Sequence, residues 1–207
     1  MGKSRTQSSH DWLRRQEKDP YVKEAKRLGY RSRAVFKLLE LQEKHRFIKP
    51  GMTIVDLGAA PGGWSETVQK ITKNKGRIVA LDILPMESIE SVDFIQGDFT
   101  EDAVLDTLMT TLNNEAVDVV LSDMAPNFSG VKQTDQARSM ILAEYALDFA
   151  LKTLKPRGAF LVKAFQGADF DLYLKTLRDT FKQVIITKPK SSRQDSREMY
   201  LFCATLK

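Results

Sequence analysis

Residues 55–66, with the sequence V-D-L-G-A-A-P-G-G-W-S-E, join a short apolar run to a turn of small residues and the start of a helix. A tight strand-to-helix turn requires residues without bulky side chains. The N-terminus of the following helix presents free N–H groups and a partial positive charge. The segment is therefore typical of a nucleotide-cofactor site.

The small residues of this turn also bear on the type of cofactor. In a dinucleotide fingerprint the second glycine lets the backbone approach a pyrophosphate, whereas Gly58 is followed here by Ala59, Ala60 and Pro61. Ala60 places a methyl group at that approach, and Pro61 lacks an N–H. The turn thus favours an uncharged or cationic adenosine derivative such as S-adenosylmethionine over NAD.

Acidic residues lie at or near the ends of the first four predicted strands. Asp82 follows Gly58 by 24 residues, near the spacing at which a carboxylate binds the ribose hydroxyls, and Asp98 is placed to accept from the adenine amino group. Asp123 closes the fourth strand, and Asp56, inside the first, is expected to order the turn. Each alone is equally typical of a helix cap or turn, but together they predict an adenosine-binding rim.

The elements that must position these residues alternate along the chain. Strands are predicted at 53–57, 77–81, 92–96, 117–122, 159–165, 183–187 and 199–205. Helices are predicted at 63–73, 86–90, 101–113, 134–154 and 169–181, and two more within 20–46 are divided at Gly29, the second capped by Ser32. This order predicts an α/β fold with a parallel, doubly wound sheet. The last two strands lack a helix between them, so the final strand should run antiparallel.

Composition narrows the class of protein. The 207 residues, 42% of them hydrophobic, suit one domain, and neither a membrane span nor a signal peptide is evident, which predicts a cytoplasmic protein. Two His and one Cys predict that no zinc or other structural metal is bound. Residues 1–50 hold 14 Lys or Arg against 6 Asp or Glu, whereas residues 51–207 carry a net charge of −3. The first 19 residues are expected to form a loose arm. This basic N-terminal region indicates a polyanionic partner, although a solvated basic helix pair is the simpler alternative.

Six segments in order closely resemble the FtsJ family of S-adenosylmethionine-dependent ribosomal RNA 2'-O-ribose methyltransferases. They are V-D-L-G-A-A-P-G-G-W, L-D-I-L-P-M, Q-G-D-F, S-D-M-A-P-N-F-S-G, L-V-K-A-F-Q-G and S-S-R-Q-D-S-R-E-M-Y, and Y-R-S-R-A-V-F-K-L at residues 30–38 also fits. The resemblance runs essentially end to end. It implies a Rossmann-like class I methyltransferase fold of seven strands. It also implies that the protein acts as a monomer and methylates a uridine of large-subunit ribosomal RNA.

The resemblance also implies site residues by position. Its catalytic tetrad corresponds to Lys37, Asp123, Lys163 and Glu198. Its cofactor contacts correspond to the turn and to three of the carboxylates, namely Gly58, Gly62, Gly63, Trp64, Asp82, Asp98 and Asp123. The motifs show no departure that would indicate an inactive enzyme, and the differences lie mostly in loops 86–92 and 131–135.

Lys163 interrupts an apolar strand, where a long cation requires a partner, and Asp123 and Glu198 are expected to supply it. We expect Lys163 to accept the ribose hydroxyl proton, while Lys37 favours its neutral form or positions the ribose. A second cation lowers a lysine pKa and carboxylates raise it, so the sequence leaves the net direction open. A purely structural cluster of buried ions is the alternative.

RNA is expected to be held mainly through its phosphates. The predicted contacts lie on the N-terminal side and in the last loop, and are Arg31, Arg33, Lys37, Lys188, Lys190, Arg193 and Arg197.

Three other functions remain open at this point: a nicotinamide-dependent oxidoreductase, a noncatalytic RNA-binding or ribosome-assembly factor, and a 2'-O-methyltransferase of another RNA such as tRNA. The absent pyrophosphate turn disfavours the first, and the intact tetrad disfavours the second.

Overall fold

The computed structural model describes residues 18–127 and 129–207. Seven strands form one sheet in the order β3-β2-β1-β4-β5-β7-β6. They are β1 Thr53–Leu57, β2 Arg77–Asp82, β3 Val92–Gln96, β4 Val117–Ser122, β5 Leu154–Phe165, β6 Phe181–Thr187 and β7 Glu198–Leu206. Strands β1 to β5 pair in parallel, and β7 is antiparallel to both β5 and β6. The predicted α/β sheet with an antiparallel last strand is therefore confirmed.

Helices cover both faces of this sheet. They are α1 Pro20–Arg27, α2 Ala34–His45, α3 Gly63–Thr72, α4 Asp102–Thr111, α5 Lys132–Thr153 and α6 Phe170–Thr180. Buried side chains of α2 and α3 form one apolar core with one face, and those of α4, α5 and α6 form a second core with the other. Consecutive strand residues alternate between these cores, as Ile54 and Val55 do, because side chains along a strand point to opposite faces.

Three expectations from the sequence need correction or lie outside the structure. Residues 86–90 form no helix, because the carbonyls of Glu87 and Ser88 accept hydrogen bonds from Arg31 instead of from backbone N–H groups. Ser32 does not cap α2, which begins after Arg33 without a side-chain cap. The expected arm of residues 1–19 falls almost entirely outside the described residues.

Two strands extend beyond the predicted bounds in a way that matters for the site. Strand β5 begins at Leu154, with an irregular register between Val117 and Val119 of β4. Strand β7 begins at Glu198, which pairs with Phe165. The strand register thus places Glu198 opposite Phe165, and its N–H donates to the Ser196 hydroxyl at 3.1 Å. No helix in the described part of the chain is long and apolar enough to cross a membrane.

Candidate active site

The carboxyl ends of β4 and β5 bring Asp123 and Lys163 together. The Lys163 Nζ lies 3.0 Å from Asp123 Oδ1 and donates to the backbone carbonyl of Asp123 at 2.5 Å. Lys163 is only 9% exposed, so these two oxygens replace most of the water that its ammonium group would otherwise contact. Asp123, one of the two partners expected for this buried cation, is therefore in place, whereas Glu198, the other, is paired with Lys37 instead.

A second buried ion pair joins the N-terminal region to the sheet. The Lys37 side chain, on α2, places its Nζ 2.8 Å from Glu198 Oε1 at the start of β7. Both side chains are almost completely buried. Helix α2 is therefore part of the site, because it contributes one of the four residues of the predicted tetrad.

Tyr200 connects the two ion pairs. Its hydroxyl donates to Asp123 Oδ1 at 2.6 Å and accepts from Lys37 Nζ at 3.1 Å. The ring is fully buried and packs against Trp64, with 5.9 Å between the ring centroids. The four predicted catalytic residues and Tyr200 thus form one hydrogen-bonded network, which we call the catalytic cluster.

The charges of this cluster act on its carboxylate. Burial raises the pKa of Asp123, but the nearby Lys163 and Lys37 ammonium groups and the Tyr200 hydroxyl outweigh it and hold the pKa below its usual value. Burial, followed by the negative charges of Asp123 and Glu198, raises the pKa of Tyr200 well above its usual value. Asp123 is therefore anionic and Tyr200 a neutral donor near neutral pH.

The turn after β1 approaches the cluster closely. Gly58 adopts φ +80°, and a Cβ there would lie 2.9 Å from the backbone of Met124, the residue after Asp123. Gly62 adopts φ +101° at the N-cap of α3, and Gly63 begins that helix. A side chain at Gly58 would fill the space between the turn and β4, which explains the glycine there.

The carboxylates predicted to bind a cofactor occupy the same rim of the sheet. Asp82 ends β2, and its Oδ2 accepts from the Ala60 N–H at 2.9 Å, which fixes the turn. Asp98 follows β3 and accepts from the backbone N–H and hydroxyl of Thr100 at 2.9 and 2.7 Å. Both side chains are partly exposed and retain oxygen lone pairs for a ligand.

Trp64 is placed differently from the other predicted cofactor residues. Its side chain is 3% exposed, lies in the core beneath α2 and donates its indole N–H to the Ala34 carbonyl at 2.8 Å. It packs under Tyr200 and connects α3 with α2. If Trp64 contacts the cofactor, it does so through its backbone N–H, which lies in the first turn of α3.

Asp56 is buried beneath the turn, in line with its expected ordering role. Its Oδ2 accepts from the Ser65 hydroxyl at 2.6 Å, whereas Oδ1 has no hydrogen-bond partner among the described residues. Burial raises the pKa of Asp56 to about 7, despite the Ser65 hydrogen bond, and the negative charges of Asp123 and Asp82 contribute to this increase. Asp56 therefore lies close enough to Asp123 and Asp82 to be affected by their charges.

Several residues predicted to bind RNA are engaged within the protein. Arg31 donates to the carbonyls of Pro61, Glu87 and Ser88. Arg33 contacts the Asp19 carboxylate and the Ser191 carbonyl, and Lys188 donates to carbonyls within the last loop. These side chains hold the turn and the loop in position. Arg193, 3.3 Å from Asp19 Oδ2, is partly exposed.

Lys190 and Arg197 are the most available of the predicted RNA contacts. Both are exposed, and neither side chain forms an ion pair or hydrogen bond with another described residue. The Lys190 backbone N–H is held by Glu40 of α2 at 2.6 Å, so the loop is tied to the helix that carries Lys37. The surface formed by α1, α2 and residues 188–197 is thus continuous.

The sequence did not identify three residues that organise the site. Asp19 caps α1 and pairs with both Arg33 and Arg193, and Glu40 accepts from the backbone N–H groups of Lys190 and Ser191. Tyr200 had one usable signal: it follows Glu198 by two residues, so on a strand it shares the Glu198 face. Glu40 had none, because its partners lie about 150 residues away, and the contact between Asp19 and Arg193 spans 174 residues. Among residues 18–127 and 129–207, no group of three or more His, Cys, Asp or Glu side chains is arranged to hold a metal ion.

Comparison with known proteins adds independent evidence. Residues 30–206 match the model of a family described as FtsJ-like methyltransferase. Curated relatives named Ribosomal RNA large subunit methyltransferase E, from Marinobacter nauticus and Pseudomonas aeruginosa, are each 55% identical over 198 residues, and each alignment covers 96% of both chains. A Plasmodium falciparum crystal structure, described as a ribosomal RNA methyltransferase, is similar with a TM-score of 0.77 and 34% identity. The similarity covers 86% of this chain and 98% of that one.

Proposed function

The chain belongs to the FtsJ-like methyltransferase family, and from this premise we propose that it methylates the 2'-hydroxyl of a uridine ribose in large-subunit ribosomal RNA. Its relatives named Ribosomal RNA large subunit methyltransferase E supply the RNA class. The observation that carries the proposal is the catalytic cluster, in which Lys163 is paired with Asp123 and Lys37 with Glu198 at 3.0 and 2.8 Å.

S-adenosylmethionine is the proposed methyl donor, and the residues of the rim fit it. The negative charges of Asp82 and Asp123 attract a cationic ligand, whereas they would repel the pyrophosphate of a dinucleotide. Asp82 is placed to accept from the ribose hydroxyls and Asp98 from the adenine amino group, while Gly58, Gly62 and Gly63 leave room for the ligand beside the backbone. When bound, the cofactor supplies a methyl group on a sulfonium, an electrophilic carbon with a neutral thioether as leaving group.

Lys163 is the proposed proton acceptor. A ribose hydroxyl is a weak nucleophile until its proton is removed, and a lysine amine in its neutral form can take that proton. Asp123 Oδ1, 3.0 Å from Nζ, stabilises the ammonium that forms on Lys163. When the methyl group is transferred to the ribose oxygen, the hydroxyl proton would be held on Lys163 Nζ.

The other two members of the tetrad are assigned from their positions. Lys37 is placed to hold the ribose or to keep a second positive charge near Lys163, and Glu198 fixes Lys37 at 2.8 Å. Rigid positioning of this kind aligns the hydroxyl with the methyl group, an effect that contributes up to about 7–11 kcal/mol in well-oriented reactions. Because Lys37 comes from α2, we propose that residues 1–207 act as one catalytic unit, as a monomer in the cytoplasm.

The RNA is proposed to cross the surface formed by α1, α2 and residues 188–197. The exposed Lys190 and Arg197 and the partly exposed Arg193 contact phosphates there. Arg31, Arg33 and Lys188 hold that surface in shape through their internal hydrogen bonds and add positive charge to it.

One experiment tests the reaction and the RNA class together. RNA 2'-O-methylation is mapped in cells with and without this protein, and purified protein is then supplied with S-adenosylmethionine labelled in its methyl group. Free large-subunit RNA, isolated large subunits and tRNA serve as substrates. We expect one uridine of large-subunit RNA to lose its methyl group in the deletion and to regain it in vitro. If the deletion removes no methylation site in cells and the purified protein transfers no methyl group in vitro, the proposal is wrong and a noncatalytic RNA-binding role is favoured.

A further inference from the structure

A cavity of about 580 Å³ opens at the amino end of the sheet, the rim opposite to the catalytic cluster. We call it the rear cavity, and it is defined by Lys44, Arg46, Lys49, Arg157, Gln183 and Phe202. The basic residues come from the end of α2, the segment that follows it and the irregular start of β5. None of them belongs to the site described above.

The rear cavity carries an excess of positive charge. Lys44, Arg46, Lys49 and Arg157 are all exposed, and among the described residues Lys44 donates only to the Thr187 hydroxyl, at 3.3 Å. The other three side chains form no ion pair or hydrogen bond within the described part of the chain. The acidic residue in the wall, Asp118, is already paired with Lys155 at 2.8 Å. Cations lining a concave surface concentrate positive potential there and attract anions.

The basic wall is held rigidly by the backbone beneath it. Gln42 accepts from the Ile48 N–H at 2.9 Å and donates to the Ile48 carbonyl at 2.8 Å, so a single side chain fixes the segment between Arg46 and Lys49. His45 stacks on Phe202, with 4.3 Å between the ring centroids, and anchors the end of α2 to β7. An anion would therefore meet cations on a fixed wall, with less ordering cost than on a mobile loop.

The rear cavity is also connected to the catalytic end. Lys44 follows Lys37 by seven residues, two turns or about 10 Å along α2. Its hydrogen-bond partner Thr187 pairs across the sheet with Tyr200 of the catalytic cluster. A polymer that enters the catalytic site beside α2 can thus follow this helix to the rear cavity.

We propose that the rear cavity binds phosphate groups of the RNA substrate at nucleotides that flank the target, as a second anchoring site. This inference rests on the proposed function for the presence of an RNA substrate. A polymer backbone fits better than a small anion, because the cations are exposed and spread over three chain segments. Each cation can then contact a different phosphate of the polymer. The contacts hold the RNA without reading its bases.

The test uses the triple variant Arg46→Gln, Lys49→Gln, Arg157→Gln in the full-length protein. The matched control is Lys175→Gln, Arg178→Gln, Lys182→Gln, which removes three exposed charges around α6 on the other face of the sheet. A third variant, Arg46→Lys with Arg157→Lys, keeps the charge. Binding of a fluorescent large-subunit RNA fragment is measured by anisotropy at several salt concentrations, and methyl transfer is measured at saturating RNA.

We expect the triple variant to bind RNA more weakly, by about fivefold for each lost phosphate contact near 0.1 M salt. Its plot of log affinity against log salt should be flatter by about 0.7 per contact, if the contacted RNA is single-stranded. The kcat should stay unchanged, because the catalytic cluster is intact. The control and the charge-keeping variant should resemble the parent protein, and a common thermal midpoint shows that all of them fold.

An unchanged salt slope in the triple variant, or an equal loss in the control, overturns the inference. If pyrophosphate raises the thermal midpoint of the parent but not of the triple variant while RNA binding is equal, the cavity binds small anions and the inference is wrong. Failure of the proposed function looks different, because the parent protein would then transfer no methyl group to RNA. A parent that methylates RNA and a triple variant that binds it normally would refute only the rear anchoring site.

Discussion

Lys163 and Tyr200 lie directly opposite each other in the antiparallel pairing of β5 and β7, so their side chains leave the same face of the sheet. From that face both reach Oδ1 of Asp123, at 3.0 and 2.6 Å. The proposed proton acceptor and a neutral hydroxyl therefore share one carboxylate oxygen. The register of a single strand pair determines the geometry of the proposed reaction.

The first prediction concerns Lys163 as the proton acceptor. Lys163→Ala should lower kcat at saturating RNA and cofactor by about 100-fold to 10,000-fold, the usual contribution of a general base. Cofactor affinity should change little, because the cofactor contacts are proposed to come from other residues. Labelled methyl transfer and equilibrium dialysis measure the two quantities, with Lys175→Ala on the exposed side of α6 as control. Near-normal turnover in the variant would refute the assignment.

Tyr200 is expected to position Asp123 rather than to contact the reacting atoms. Tyr200→Phe removes a hydrogen bond that lowers the pKa of Asp123, so that pKa should rise. The acidic limb of the pH profile of kcat should then move to higher pH, and kcat should fall less than in Lys163→Ala. A lower kcat with an unmoved acidic limb would show that the tyrosine has only a packing role.

Asp82 is predicted to act on the cofactor alone. Asp82→Asn retains an acceptor for the Ala60 N–H but lacks the charge, and it should weaken cofactor binding about tenfold or more while RNA binding stays the same. Calorimetric titration of S-adenosylmethionine and anisotropy of labelled RNA separate the two affinities. Asp106→Asn, on the exposed face of α4, is the control. Equal losses of both affinities would contradict a ribose-binding role.

Lys190 and Arg33 are expected to respond differently to neutralisation. Lys190→Gln should flatten the salt dependence of RNA binding by about 0.7 and leave stability unchanged, because its side chain has no partner among the described residues. Arg33→Gln leaves the buried Asp19 carboxylate with a weaker set of partners, so unfolding should become easier by about 1–3 kcal/mol. Chemical denaturation and anisotropy measure both effects. The reverse pattern would place Arg33 on the RNA and Lys190 in the fold.

The buried Asp56 should make stability depend on pH. Its pKa is raised from 3.8 to about 7 in the folded protein, so the folded state holds this proton more tightly than the unfolded state. The stabilising effect is complete below about pH 4 and is lost as the pH rises to about 7, and it corresponds to about 4 kcal/mol.

Asp56→Asn cannot ionise and retains an acceptor for the Ser65 hydroxyl. The free energy of unfolding of the parent protein should therefore fall, relative to this variant, between pH 4 and pH 7. Urea titrations of both proteins without cofactor at pH 4, 5.5, 7 and 8 measure the difference. A constant difference across this range would show that folding does not raise the pKa of Asp56.

The sequence by itself determined the order and type of most elements and named the four residues that the structure brings together in the proposed catalytic cluster. Periodicity and turn residues located seven strands, because apolar alternation and small-residue turns are local signals. The family resemblance identified Lys37, Asp123, Lys163 and Glu198, whose motifs are short and contiguous. The short helix predicted at 86–90 does not form, because Arg31 donates to the carbonyl of Glu87, which lies 56 residues later in the chain.

Only the tertiary structure decided how these residues are connected. Tyr200 bridges two ion pairs that come from four different elements, and Asp19 and Glu40 tie residues 188–197 to α1 and α2 across more than 100 positions. The cations of the rear cavity come from distant parts of the chain, and Arg46 and Arg157 are 111 residues apart. Such contacts depend on strand register and helix packing, which no local pattern of side chains encodes.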